Sequence, residues 1–278
     1  MVLHRKKDWK MNSALSILKE QINSFYLIKR LSLYELKSTN SNTYLGILWE
    51  VINPMIQISI YWFVFGYGIR GGEAVEGIPY LQWMLAGISV WFFVNPAILH
   101  GSKSIYTRIK IISKMDFPMS VIPTFVIMSK FYHHIILIGI ITIILQFYHY
   151  PVSIYLLQLP YYMFATIALL VSITLVTSTL STIVRDIQMI VQAIMRILLY
   201  VSPILWTPNG LPEMVQTIMK INPLYYIVEG YRASLLGTSW YFVEGLNYTM
   251  YFWSFVLVTF VLGSIIHIKF RDRFVDFL

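Results

Sequence analysis

The sequence predicts an all-α integral membrane protein. It has six transmembrane helices, an N-terminal amphipathic helix in the membrane interface, and re-entrant helices between spans five and six. Three observations predict this. The 278 residues are 57% hydrophobic and only 12% charged. Several apolar runs reach the roughly 20 residues that a helix needs to cross a bilayer core. After the fifth run come two shorter apolar pieces, split by Asn222-Pro223, and apolar pieces of about 10–14 residues are too short to span.

Residues 1–44 are the most charged part, and Leu15, Leu18, Ile22, Phe25, Tyr26, in part Ile28, Leu33 and Leu36 recur in them at near-helical spacing. That pattern predicts a cytoplasmic amphipathic helix lying in the interface. The remainder, 45–278, is read as one six-span domain. Span one is expected at about 45–69, with Glu50, Asn53, Gln57 and Tyr61 on one face and Pro54 as a kink. Span two is expected at about 79–99. A separate basic amphipathic helix follows at 100–118, carrying Lys103, Arg108, Lys110 and Lys114 opposite Ile105, Ile109, Ile112 and Met115. Span three, about 119–147, contains Lys130, His133 and His134. Span four, about 159–184, is rich in Ser and Thr, which lets helices approach closely. Span six is expected at about 248–268. Trp83, Trp91, Tyr161, Tyr162, Trp240 and Trp253 are candidates for an interfacial aromatic belt.

Span five, about 187–207, carries a cation, Arg196, near its middle. Such a residue costs about 2.5–3.5 kcal/mol on insertion scales and is rarely left facing lipid. Gln188, Gln192, Arg196 and Tyr200 recur every four residues and so share one face. That face seeks protein or water. With Gln57, Tyr61 and Trp206 it is the expected substrate pathway. Beyond it, Thr207-Pro208-Asn209-Gly210-Leu211-Pro212 is a turn by composition, and Asn222 and Pro223 suit an N-cap and a first helical residue. Backbone that breaks at membrane depth is tolerated inside protein or along a wet cavity.

Sixteen of the 21 Lys and Arg lie in the N-terminal arm, the 100–118 segment, Arg185 and the C-terminal tail. The positive-inside rule places all of these, and both termini, in the cytoplasm. Topology and anionic lipid account for the basic excess without nucleic acid. The absence of cysteine excludes disulfides, thiolate metal sites and lipidated cysteine. No cleavable signal peptide is read in the first 30 residues.

The chain carries no phosphate-binding loop of the G-x-x-x-x-G-K-[ST] type, so hydrolysis of ATP is not expected of it. Its 13 acidic residues are scattered singly, which disfavours a metal-dependent transferase; no zinc-peptidase or serine-hydrolase motif is present either. No metal site or cofactor is expected. A membrane-embedded glycosyl- or acyltransferase, and an uncoupled channel or carrier, are the different-class alternatives. Lys130 and Arg196 each lie within about 10 residues of the cytoplasmic end of their spans, hence at similar depth. They could together hold a diphosphate head group; equally, Arg196 could pair internally with Glu50. His133-His134 with Lys130 reads either as an acid–base or phosphate cluster or as residues satisfied within the bundle.

The run Leu45-Gly46-Ile47-Leu48-Trp49-Glu50-Val51-Ile52-Asn53-Pro54 resembles the first span of type-2 ABC exporter permeases for cell-surface polysaccharides. Arg185-Asp186, Ser202-Pro203-Ile204, Asn222-Pro223-Leu224 and Glu229-Gly230-Tyr231-Arg232 resemble that family's C-terminal half, in order and spacing. Phe25-Tyr26-Leu27-Ile28-Lys29-Arg30, Ser113-Lys114-Met115-Asp116-Phe117-Pro118 and the ending from Phe270 to Leu278 are similar to members that export wall teichoic acid in Gram-positive bacteria. Exporters of O-antigen or capsule share much of the pattern. The resemblance implies a homodimer in the plasma membrane with two copies of a separate ATPase subunit, which would hold ATP and Mg. It implies a lipid-linked anionic polymer, carried on polyprenyl diphosphate, as substrate. It implies a coupling helix at about 102–117, with Arg108, Ile109, Ile112, Asp116 and Phe117 toward the ATPase. It also implies an outer gate at about 211–236, with Tyr225, Tyr226, Glu229 and Arg232.

Overall fold

The computed structural model describes residues 2–39, 44–112 and 117–277, and among these there are helices and no strands. The helices are α1 (Val2–Asn23), α2 (Phe25–Thr39), α3 (Trp49–Tyr61), α4 (Tyr80–Ile112), α5 (Val121–Phe147), α6 (Leu159–Ile183), α7 (Ile187–Val201), α8 (Glu213–Lys220), α9 (Pro223–Leu236), α10 (Tyr241–Glu244) and α11 (Leu246–Phe270). Four helical stretches are long and apolar enough to cross a bilayer: Tyr80–Ile109, Val121–Phe147, Ile154–Ile183 and Leu246–Phe274. These answer to the expected spans two, three, four and six.

The expected spans one and five are shorter than the sequence suggested. α3 has 13 residues and then widens without a break into a π-helix, Trp62–Ile69. α7 has 15 residues and stops at Val201, not near 207. The cause is local. Ser202 precedes Pro203, and a residue in that position is pushed out of the α region; Ser202 sits at φ −80°, ψ 151°.

α4 also departs from expectation. Residues 100–112 are not a separate helix; they continue the preceding span as one 33-residue helix, about 50 Å long. Nothing between 100 and 112 breaks a helix except Gly101, and Gly101 is held by packing. A Cβ there would come within 2.7 Å of Thr174 Cγ2 on α6. Pro96 lies inside α4 and removes one of its hydrogen bonds. Residues 113–116, and with them Asp116, lie outside the described residues.

α4 is the hub. It packs on α5, α6, α7 and α9, and most of its residues from Gln82 to Ile109 are buried. Trp83, Trp91 and Tyr162 are 3%, 6% and 0% exposed, so they are core residues and not belt residues. The buried Ser/Thr row of α6 packs closely because most of its hydroxyls turn back onto their own helix, as Thr174 does to the Leu170 carbonyl at 2.7 Å.

The N-terminal arm is two helices meeting at Ser24. α1 packs against α11 and α2 against α5. Ile17 and Ile28 are buried, while Leu15, Ile22, Phe25, Tyr26 and Leu33 stay exposed on the other face. Charged contacts tie the arm to the bundle. The Glu20 carboxylate accepts from Arg271 Nη1 at 2.9 Å and from Ser120 Oγ at 2.5 Å. Glu35 pairs with Arg108. Ile109 is fully buried beside Ile28, Ile105, Phe125 and Phe274, and Phe117 packs partly buried against that cluster. Arg108 and Ile109, two residues expected to face an ATPase, form the α4 side of this contact with the arm.

α9 forms as the sequence predicts at its start. Asn222 Oδ1 accepts from the Leu224 N–H at 3.0 Å, and Pro223 is the first helical residue. Its end is a left-handed Gly237 at φ +71°. Between these ends α9 is buried along nearly its whole length. Gly230 abuts the Tyr162 ring, and no Cβ would fit there. Arg232, 5% exposed, is the knot of this end. Its Nη1 donates to Glu229 at 2.5 Å, its Nη2 to the Pro203 carbonyl at 2.7 Å and its Nε to the Trp83 carbonyl at 3.3 Å. The guanidinium lies 3.7 Å from the Trp83 ring centroid. Gly87 leaves the space that the guanidinium fills.

Two outcomes follow for stability in detergent, read by thermal unfolding. Gly230→Val destabilises by about 1–3 kcal/mol through overpacking against Tyr162. Arg232→Met strands Glu229 and two carbonyls and costs about 3–5 kcal/mol; Arg232→Lys recovers only part, because an ammonium cannot reproduce the planar fork.

Candidate functional site: a polar cavity between α3, α4 and α7

The four-residue spacing on α7 and the matching face of α3 meet across one cavity of about 660 Å³. Gln57 and Tyr61 come from α3; Gln188, Gln192, Arg196 and Tyr200 come from α7, with Met195 and Leu199 between them. The third wall is a face of α4: Trp91, Asn95, Leu99, His100 and Lys103. A second cavity of about 390 Å³ adjoins it, sharing Gln57, Trp91 and Asn95 and adding Glu50 and Asn53. Gln57 donates to Asn53 Oδ1 at 3.2 Å, which keeps the α3 amides along one line.

The members of this seam are not equivalent. Gln188 is 8% exposed and locked: it accepts from Ser102 Oγ at 2.6 Å and donates to the Leu99 carbonyl at 3.1 Å. It joins α7 to α4 and shapes the wall. Gln192, Arg196 and Tyr200 are exposed along the open side of the cavity. Arg196 Nε donates to its own helix at the Gln192 carbonyl, 3.4 Å away, leaving the guanidinium head toward the cavity side.

Three expectations change. Lys130 does not line the cavity that holds Arg196; it is 8% exposed within α5. Equal depth along two helices does not put two side chains on facing sides. Lys103 and His100 supply the nearby basic groups instead. Among the described residues Arg196 does not pair with Glu50, whose carboxylate lies 3.8 Å from His133 Nδ1. Trp206 does not line the cavity either; its Nε1 donates to the Tyr200 carbonyl at 2.7 Å and closes the C-terminus of the short α7. His134 is a core residue, stacked on Phe93 and bonded through Nε2 to the Tyr231 hydroxyl at 2.9 Å.

The residues that sequence reasoning missed are on α4. Trp91, Asn95, Leu99 and Lys103 recur every four residues, the same signal that marked α7. An expected boundary at residue 99 hid it, by cutting the row in two.

The expected gate residues lie at one end of the bundle. Tyr226 is fully buried, stacked on Phe252, with its hydroxyl 3.0 Å from that of Tyr161 and 2.9 Å from Thr249 Oγ1. Tyr225 packs edge-on against Tyr248. Burial pushes the Glu229 carboxyl upward, and the Arg232 guanidinium beside it opposes that shift. In this conformation all four residues are engaged in holding α9 against the bundle. Among the described residues no group of three or more His, Asp or Glu is placed to hold a metal ion.

The cavity offers two cations, His100, several amides and three aromatic side chains. Cations with carboxamides suit an anionic or hydroxyl-rich molecule, and the aromatic faces suit its less polar sides.

The family model described as ABC-2 type transporter matches residues 26–236. The chain is 27% identical over 270 residues to the O-antigen export system permease protein RfbA of Klebsiella pneumoniae, covering 94% of this chain and 99% of that one. It is 21% identical over 201 residues to the protein of the same name from Myxococcus xanthus, covering 72% and 76%. It is likewise 21% identical over 197 residues to the inner membrane transport permease YadH of Escherichia coli, covering 67% and 75%. The family match spans most of the chain, and it agrees with the apolar helices and the polar seam: this is a multi-pass integral membrane protein of the ABC-2 type transporter family.

Proposed function

We propose that this chain is the membrane subunit of an ATP-driven exporter of a lipid-linked polysaccharide. The observation that carries the reading is the meeting of the α3, α4 and α7 polar faces around one cavity. Two of the three named relatives are O-antigen export permeases, which favours an O-antigen-like glycan over the wall teichoic acid suggested by sequence motifs. Family membership supports a separate ATPase partner, which would bind ATP and Mg and is taken to be present in two copies.

In this reading α3 with its π-helical continuation and the short α7 are spans one and five, making six. Both termini face the cytoplasm by charge distribution. The α8–α9 pair is the outer gate, held shut by the Arg232 knot. The end of α4 and the 113–118 connection receive the ATPase motion. Arg196 and Lys103 meet the diphosphate of the carrier lipid, and the aromatic side chains meet the sugars. The outward faces of the same helices carry exposed apolar side chains: Ile56 and Ile60 on α3, Phe63 on its π-helical continuation, and Ile190, Ile194 and Ile197 on α7. A second copy of the chain would cover them and close the corridor.

Two experiments test this. With the ATPase complex assembled normally, Arg196→Ala and Lys103→Ala each lower export of the lipid-linked glycan into vesicles by roughly ten- to a hundredfold, the loss expected for one charge-assisted contact. Unchanged export in the double variant removes the head-group role. Because the chain has no cysteine, single introduced cysteines report proximity cleanly. Ile194→Cys forms a disulfide-linked dimer in membranes and Leu257→Cys on α11 does not; the reverse pattern overturns the proposed dimer face.

A further inference from the structure

A separate pocket, of about 350 Å³, lies at the other end of α3, away from Arg196. It is built where the π-helix meets the start of α4 and the end of α5. Trp62 and Tyr67 come from the π-helix, Tyr80 and Gln82 from α4, and Tyr148 from the end of α5. Four of its walls are therefore aromatic, and one carries a carboxamide.

Three features set it apart from ordinary packing. Gln82 is 4% exposed, yet its Oε1 has no hydrogen-bond donor. A buried amide oxygen left without a partner costs about 1–3 kcal/mol, so a native structure rarely keeps one without use. The wall is a π-helix, a rare backbone form that recurs at functional sites. It is drawn tight against α4 by Gly66, where a Cβ would come within 3.0 Å of Tyr80 Cδ1 and 3.3 Å of Trp62 Cδ1. Finally, the rings differ in availability. Tyr80 is 3% exposed and spends its hydroxyl on the Leu205 carbonyl at 2.8 Å, so it is floor. Tyr67 and Tyr148 are 57% and 49% exposed, so they are rim.

Flat aromatic faces beside an unsatisfied carboxamide match the chemistry of a sugar ring. The C–H face of a pyranose lies on an aromatic surface, and its hydroxyls donate to an acceptor at the edge. A phosphate would find a single cation, Arg70, which lies 5.6 Å from the Tyr80 ring centroid and is not part of the lining, and an acyl chain would leave Gln82 unsatisfied. We propose that this pocket is a binding subsite for a single pyranose unit. The ring packs against Trp62 and the rim tyrosines, and the Gln82 amide, whose Oε1 is buried when the pocket is empty, turns to accept one of its hydroxyls. That the ring belongs to the exported glycan rests on the exporter reading; the binding itself does not.

The test uses saturation-transfer NMR on the full chain in nanodiscs with its ATPase partner. The probes are the methyl pyranosides of glucose, galactose, mannose and N-acetylglucosamine, with the acyclic polyol sorbitol as control. At least one pyranoside receives saturation from aromatic protons and sorbitol does not. Gln82→Leu weakens that pyranoside about tenfold, as loss of one hydrogen bond to a buried group implies. The exposed Tyr67→Leu, which leaves the fold unstrained, weakens it at least several-fold, while Tyr26→Leu, an exposed ring on the N-terminal arm outside both cavities, leaves it unchanged. Absence of transfer to all four pyranosides, or equal transfer in the Tyr67 and Gln82 variants, overturns the subsite. Sugar binding without ATP-driven export would sink the exporter reading alone; export without sugar binding would sink the subsite alone.

Discussion

The end of the bundle that carries the α8–α9 pair depends on one desolvated cation. Arg232 is taken out of solvent and given a carboxylate, two carbonyls and an indole face in return. A buried guanidinium tolerates no partial arrangement, because each unsatisfied N–H costs free energy. Its partners lie on α4, on the elbow after α7 and on α9 itself. These three elements are therefore fixed relative to one another by a single side chain. The elbow exists because Pro203 ends α7 early, and its freed carbonyl is one that Arg232 uses. The short α7 and the buried α9 are two sides of one solution.

The same economy of polar groups governs the middle of the bundle. Gln188 is spent on holding α7 to α4, so the seam that looks uniform in sequence is divided in the fold. Its buried end is architecture; its exposed end, from Gln192 to Tyr200, is what a ligand can meet. Asn95 and Lys103 on α4 complete the wall. The result is a cavity open on one side, walled by three helices.

Much of this was legible in the residues. Periodicity gave the amphipathic faces of α3 and α7 and their convergence, and capping chemistry gave the start of α9 at Asn222-Pro223. What failed were inferences about continuity and azimuth. The basic segment 100–112 reads as a new amphipathic helix because its charge rises, but charge does not end a helix, and no proline intervenes. Lys130 and Arg196 share a depth but not a side, since rotation about a helix axis is set by packing that a single sequence does not display. The π-helix at Trp62–Ile69 has no signature in a 3.6-residue pattern, so its aromatic pocket stayed hidden among ordinary apolar positions.

Consider again the unbroken length of α4. A rod of 33 residues transmits force along its axis with little loss, so whatever pulls on the arm at Glu35 and Arg108 is felt far from it. The rod has one weak joint, Pro96, where a backbone bond is missing, and that joint adjoins Asn95 and Trp91. A lever with its pivot beside the load concentrates bending there. Torque delivered at the arm would reshape the cavity wall first, and arrive at the Arg232 end only afterwards.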